Sequence, residues 1–389
     1  MVGAGGAVAL SGSAWREALG HTTVGVGTSG QAEPGAGRYG ALLAPDANGV
    51  RLPKGFRSRV VARSGQPVAG SGVPWHDAPD GGACFRGPAG GWTYVSNSEL
   101  VSGGGASALQ FSVTGAVLGA VRILSGTRAN CSGGPTPWQT WLSCEEVDRG
   151  AVWETDPAGV RAAVRRPAMG LFQHEAAAVD PVRHVVYLTE DEPDGCFYRF
   201  RPAVWPELSV GVLEVLTTAT TWQRVPDPAA VTTRTRRQVV GARAFRGGEG
   251  AWYADGSCWF TTKGDGRVWR YDAEHGQLRT VYDAAVSGGP LSGVDNVTGS
   301  GVGELFVVED GGDLQVCVLS PHGQVSPFLQ LVGHNASEVT GPALSPDGRR
   351  LYVSSQRGTT GRSSGGMTFE VSGPFRRGAS SMPGLRDRR

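Results

Sequence analysis

Apolar runs in this chain are short, and they repeat. Six segments share one order: an apolar strand, a polar break, then a second strand ending on a turn with Gly, Asp or Pro. They cover roughly 92–115, 138–160, 184–206, 257–278, 303–324 and 349–371. The clearest copies are Asp255-Gly-Ser-Cys-Trp-Phe-Thr-Thr262 leading to Gly266-Arg-Val-Trp-Arg-Tyr-Asp272, and Gly303-Glu-Leu-Phe-Val-Val308 leading to Leu314-Gln-Val-Cys-Val-Leu319. Runs rich in Val, Tyr, Phe and Trp between turn signals suit a pleated surface, so the pattern predicts antiparallel sheet. In Ser345-Pro-Asp-Gly348 the proline presets φ and the glycine accepts a positive one, which makes a tight turn.

A repeat of about 45 residues with several strands per copy is the signature of a propeller blade. Six copies predict an all-β, six-bladed β-propeller, a single domain over residues 21–371. The innermost strand of each blade then lines a central channel. Two stretches depart from the repeat. Residues 20–60, rich in Gly, Ala and Pro, are expected to form an irregular N-terminal wrap, around the outside or paired with the last blade. Residues 205–243 are expected as an insertion between blades three and four, carrying the apolar run Leu208 to Leu216 and the basic Arg234-Thr-Arg-Arg237.

Acids and amides gather where the apolar strands break off. The segments are Tyr94-Val-Ser-Asn97-Ser-Glu99, Trp141-Leu-Ser-Cys144-Glu145-Glu146, Val186-Tyr-Leu-Thr-Glu190-Asp191 and Leu305-Phe-Val-Val-Glu309-Asp310. A second row, about fifteen residues upstream in each copy, holds Asn130, His174-Glu175, Glu249 and Asp295-Asn296. In a propeller both rows aim at the axis from one face of the disc. So many acids in one place repel unless cations neutralise them, which points to a metal centre. Carboxylate and amide oxygens suit Ca²⁺. A thiolate selects softer or redox-active ions, and Cys144 beside Glu145 and Glu146 reads as the edge of a mixed cluster. Read alone, it is equally a core cysteine next to two solvated acids.

Composition narrows the field. Of 389 residues 40% are hydrophobic, 18% are charged and 61 are glycine, as in a turn-rich β protein. A net charge of +1 offers no electrostatic case for nucleic acid or membrane surfaces. No segment is apolar and long enough to span a bilayer as a helix. The six cysteines form no CxxC pair, so a zinc ribbon is not expected. Residues 1–20 read as the remnant of a twin-arginine export signal without its arginines, or as a disordered Ala/Gly-rich end. Residues 372–389 read as a frayed basic tail.

At the motif level the chain resembles the PhoX-type alkaline phosphatases. The resemblance rests on Asn130-Cys-Ser-Gly-Gly-Pro-Thr-Pro-Trp-Gln-Thr-Trp-Leu-Ser-Cys-Glu-Glu146, Phe172-Gln-His-Glu-Ala176 with Tyr187-Leu-Thr-Glu-Asp191, Glu249-Gly250, Asp295-Asn296 with Val308-Glu-Asp310, and Leu344-Ser-Pro-Asp-Gly348. These run in family order from about residue 77 to 356. Gln139 stands where the family has Gly, and Ser132 where Ala is usual. The resemblance implies a mixed Fe³⁺ and Ca²⁺ centre on the axis that hydrolyses small phosphomonoesters, in an exported protein acting as a monomer. It implies Cys144 as an iron ligand, with Glu175, Glu249 and Asp295 shared among the ions. Asn97, Glu99, Glu145, Glu190, Glu309 and Asp310 are then the remaining calcium-site candidates, and Arg246 joins Glu249 and Asp295 as a catalytic candidate able to grip phosphate with two N–H groups.

Fold alone does not fix function. A propeller with one calcium held by Glu, Asn and Asp could be a lactonase or esterase, and one with structural calcium only could be a binding module. A thiolate ligand separates the first reading from both.

Overall fold

The computed structural model describes residues 33–34 and 37–377. The expected export-signal remnant at 1–20 and residues 378–389 of the tail lie outside them. Six sheets, antiparallel except for the edge pairing of Glu33–Pro34, follow one another along the chain. Their first strands are Pro79–Arg86, Asn130–Pro135, His174–Asp180, Gly248–Ala254, Val294–Gly299 and Val339–Leu344. Each packs against the first strand of the next sheet, and the sixth packs against the first, closing a ring. This is the six-bladed propeller that the repeat predicts, with these strands innermost. The strands that pair with them are Trp92–Ser98, Trp141–Glu145, Val185–Glu190, Ser257–Thr262, Leu305–Glu309 and Arg350–Ser355.

The ring is closed by the N-terminal region. Arg57–Arg63 pairs antiparallel with Met367–Ser372 and becomes the outermost strand of blade six. Upstream, Val50–Arg51 and Glu33–Pro34 add to the outer strand Gln324–Leu331 of blade five. The wrap therefore does both things anticipated for it. The tail also begins inside the fold: Ser372 ends a strand, Phe375 is buried, and Arg376 pairs with Glu304 at 2.7 Å.

The insertion is shorter than the sequence suggests. Glu207–Leu216 is the fourth strand of blade three and Trp222–Arg224 its fifth. Leu208, Leu213 and Val215 pack with Tyr198 and Phe200, so the apolar run is ordinary blade core. What remains inserted is 225–243, returned to the blade by Ala244–Phe245 pairing with Gly195–Cys196. Arg236 fastens this loop, reaching Glu190 at 2.9 Å, Glu192 at 3.0 Å and Asp194 at 3.0 Å.

Apolar clusters between neighbouring blades fix the ring. One of the two largest holds both ends of the described chain against blade five, with Phe328 at its centre. Tyr39, Phe56 and Phe306 meet Phe328 edge-on at centroid distances of 5.2, 5.0 and 5.4 Å, and Phe375 lies 5.4 Å away. Phe328 is fully buried. Replacing it with Ala should leave a cavity and cost about 3–5 kcal/mol. Urea unfolding of Phe328→Ala should show that loss as a lower midpoint with an unchanged slope.

Candidate metal centre

One local geometry recurs in all six blades. The register between the first two strands shifts by one residue near the start of each innermost strand, between Pro79 and Gly82, Asn130 and Gly133, His174 and Ala177, Gly248 and Ala251, Val294 and Val297, and Thr340 and Ala343. Such a bulge re-aims the side chain it carries. The second residues of these strands are Asp80, Cys131, Glu175, Glu249, Asp295 and Thr340. The residue just past the second strand donates its N–H to the carbonyl just before the innermost strand. These pairs are Glu99 to Ala78, Glu146 to Ala129, Asp191 to Gln173, Lys263 to Gly247, Asp310 to Gly293 and Gln356 to Glu338. Two concentric rows of six therefore stand at one end of the channel.

The innermost strands converge tightly there. A Cβ on Gly81 would come within 2.5 Å of Ser132 Cα, and one on Gly250 within 2.6 Å of Asn296 Cα. Only small residues allow the approach, and it brings side chains from different blades together. Three triads result, each with ligand atoms within 4.8 Å of one another: Asp80, Glu99 and Cys131; Cys131, Glu146 and Glu175; Glu175, Glu249 and Asp295. Cys131 and Glu175 are each shared by two triads, so the three are linked in series.

The charge balance is lopsided. Among the described residues, Asp80, Glu99, Glu146, Glu175, Asp191, Glu249, Asp295, Asp310 and Glu338 face two protein cations, Lys263 and Arg357. Burial, with Glu249, Glu146, Asp295 and Asp80 around it, pushes the Glu175 carboxyl well above its usual range. Burial, then Glu99 and Asp295, raises Asp80 likewise. Asp295 is pushed up to about 6, chiefly by burial and against the pull of Lys263. The Cys131 thiol is held well up by burial and by Asp80, Glu175, Glu146 and Glu99. Glu175 Oε2, Asp191 Oδ1 and Asn296 Oδ1 are buried and find no hydrogen-bond partner among the described residues. Native proteins rarely leave such atoms alone, and oxygens aimed at a shared space beside a thiol fit bound cations.

Of the residues expected from sequence, the structure brings Glu99, Glu175, Glu249, Asp295 and Asp310 together at this site. Cys144, Asn97, Glu145, Glu190 and Glu309 lie elsewhere, each for a physical reason. Cys144 is packed among Leu142, Val152, Phe172 and Leu188, and Cys131 is the thiol on the axis. All six cysteines are free. Asn97 joins blades one and two. Its amide donates to the carbonyls of Cys131 and Ser132, and its Oδ1 accepts from Trp141 Nε1 at 2.9 Å and Ser143 Oγ at 2.8 Å.

Glu145, Glu190 and Glu309 share one structural task. Each accepts the N–H six residues on, from Ala151 at 3.2 Å, Cys196 at 3.0 Å and Gln315 at 2.9 Å, and so braces the hairpin to the third strand. The following residues, Glu146, Asp191 and Asp310, enter the axial row instead. A one-residue slip on a strand reverses the face.

Arg246 is exposed, and its guanidinium makes no hydrogen bond or ion pair among the described residues. His174 stacks on Phe172 and bonds the Gly170 carbonyl at 2.9 Å. Burial lowers it to about 4, so it is neutral packing. Sequence reasoning missed Asp80, Cys131, Glu338, Gln356 and Arg357, and it quoted Glu146 and Asp191 at strand ends without counting them among the ligand candidates. Gln356 Nε2 bridges Asp80 Oδ2 and Glu99 Oε2 at 2.6 Å each, and Arg357 meets Glu338 at 2.7 Å. The signal available was the position itself: aligning the blades on Glu99 and Asp310 yields the remaining row.

Comparison with known proteins agrees with the propeller fold. A family model described as alkaline phosphatase PhoX matches residues 84–156 and 147–358. No curated protein sequence matches the chain. Among solved structures, Pseudomonas fluorescens PhoX in complex with vanadate aligns with a TM-score of 0.67 at 19% identity, covering 85% of this chain and 97% of that one. A Bacteroides thetaiotaomicron protein of unknown function aligns at TM-score 0.53 and 11% identity, over 82% of this chain and 76% of that one.

Asp295 gives the pH dependence its sign. Its folded value of about 6 exceeds the roughly 3.9 of an unfolded Asp, so its contribution is full below about pH 4 and is lost as pH rises through 6. Metal-stripped protein should therefore lose stability between pH 4 and 7, on the order of 2–3 kcal/mol from this group alone. Chemical denaturation across that range should show the fall, and added calcium should reverse it most at the upper end.

Proposed function

The chain belongs to the alkaline phosphatase PhoX family, and we propose that it hydrolyses phosphomonoesters at a mixed iron–calcium cluster on the propeller axis. The observation that carries this reading is the series of three buried triads sharing Cys131 and Glu175. The two triads that meet at Cys131 combine a thiol with carboxylates, a donor set for iron. The triad of Glu175, Glu249 and Asp295 offers oxygen only, a donor set for calcium. A lone calcium lactonase site has no use for the thiol.

When bound, such ions supply Lewis-acid neutralisation of phosphate oxygens. The chain's own residues do the rest. Cys131 and Glu175 would each serve two neighbouring ions, while the Gln356 amide holds Asp80 and Glu99 in place. Arg357 has one nitrogen on Glu338 and a side chain about 25% exposed at the edge of the cluster, so its other N–H groups are placed to meet non-bridging phosphate oxygens. The wall of buried acids excludes anions other than one whose charge the cations offset. The reaction breaks the phosphorus–oxygen ester bond with water, releasing an alcohol and inorganic phosphate. The resemblance also carries the proposal that the protein works outside the cytoplasm, on small esters.

Hydrolysis of p-nitrophenyl phosphate should require calcium and stop on chelation. Cys131→Ala should lose iron by elemental analysis and at least about 100-fold in kcat/KM. Cys144→Ala should keep its iron and an activity within about threefold of wild type, since it alters apolar packing only. Full activity in Cys131→Ala, or no phosphomonoester hydrolysis by metal-replete protein, would end this reading.

A further inference from the structure

Round the outer row, blades one, two, three and five each present an acid, blade six presents Gln356, and blade four presents Lys263. The Lys263 ammonium stands 2.9 Å from Glu249 Oε1 and 3.5 Å from Asp310 Oδ2. The series of triads runs from blade one round to Glu249 and Asp295. Its next place, between Glu249 of blade four and Asp310 of blade five, is where this ammonium lies.

We propose that Lys263 is a protein-borne cation filling the next ion position of the series, so that the centre closes with one metal ion fewer than its carboxylates would hold. The proposal rests on reading the triads as metal sites. An ammonium is a compact charge with three donors, able to contact oxygens from two blades at once, whereas a planar guanidinium is not interchangeable with it. The chain underlines the choice. Its 36 basic residues include lysine only at positions 54 and 263, and every other is arginine. The position is also rigid: the Lys263 N–H is bonded to the Gly247 carbonyl, and residues 263–265 form a short 3₁₀ turn. A monovalent group here leaves the neighbouring acids less neutralised than a divalent ion would, which keeps negative charge beside the calcium triad.

The test compares wild type, Lys263→Gln and Lys263→Glu after metal stripping. Calcium is titrated by calorimetry, bound ions are counted by elemental analysis after dialysis, and circular dichroism monitors folding. Lys263→Gln should bind one more calcium per chain than wild type. Lys263→Glu, with one more ligand charge, should bind that extra ion about 10-fold more tightly. If one variant folds poorly, the other still gives the count. Wild type binding calcium with neither variant gaining an ion would overturn the assignment of Lys263 and leave the metal centre standing. Wild type binding no metal would remove the centre, and this inference with it.

Discussion

Nine carboxylates crowded at one end of the channel cannot all be ionised on their own, and the rest of the molecule is arranged around that constraint. Burial and mutual repulsion raise the pKa values of Glu175, Asp80 and Asp295. A fold must therefore hold these groups in place against their repulsion, and cations must relieve it. The six blades supply the rigidity. Their apolar clusters and the closing strand Arg57–Arg63 make the ring a single packed body, so the acids cannot drift apart to relax. The bulge at the start of every innermost strand supplies the aim.

The two rows differ in how they are made. The inner row rides on converging strands where Gly81 and Gly250 permit contact between blades. The outer row is set by one backbone hydrogen bond repeated six times, from Glu99, Glu146, Asp191, Lys263, Asp310 and Gln356. Sixfold backbone geometry carries a side-chain pattern that is not sixfold at all: a thiol in blade two, an ammonium in blade four, a hydroxyl and an amide in blade six. That broken symmetry is what gives the axis distinct donor sets instead of one uniform ring of acids. The loop 225–243 is tied beside the same end of the channel through Arg236 and Glu190, next to Asp191 of the outer row.

The blades were legible because their second and third strands carry aromatic and β-branched residues between Gly, Asp and Pro turns. The innermost strands were legible only in part, through the polar row of Asn130, Glu175, Glu249 and Asp295. Asn130-Cys-Ser-Gly-Gly-Pro135 and Pro79-Asp-Gly-Gly82 read as turns, since close approach at the axis demands small residues where a strand pattern would show bulk. Asp80 was invisible for that reason, and Cys131 lost out to Cys144, which stands in clear strand text. The doubled acids misled by one position: in Glu145-Glu146, Glu190-Asp191 and Glu309-Asp310 the first braces a hairpin and the second faces the axis, and only the backbone register tells them apart. Gln139 takes a left-handed φ of 65°, which accounts for the glycine usual at that place. Leu208 to Leu216 was misassigned because a fourth blade strand and a loop were read as one insertion.

The most direct test is anomalous diffraction at the iron and calcium wavelengths from crystals of protein purified without chelators. The account predicts an iron peak within bonding distance of Cys131 Sγ and calcium density among Glu175, Glu249 and Asp295. Iron beside Cys144, or a channel whose acids contact no metal in metal-replete protein, would contradict it.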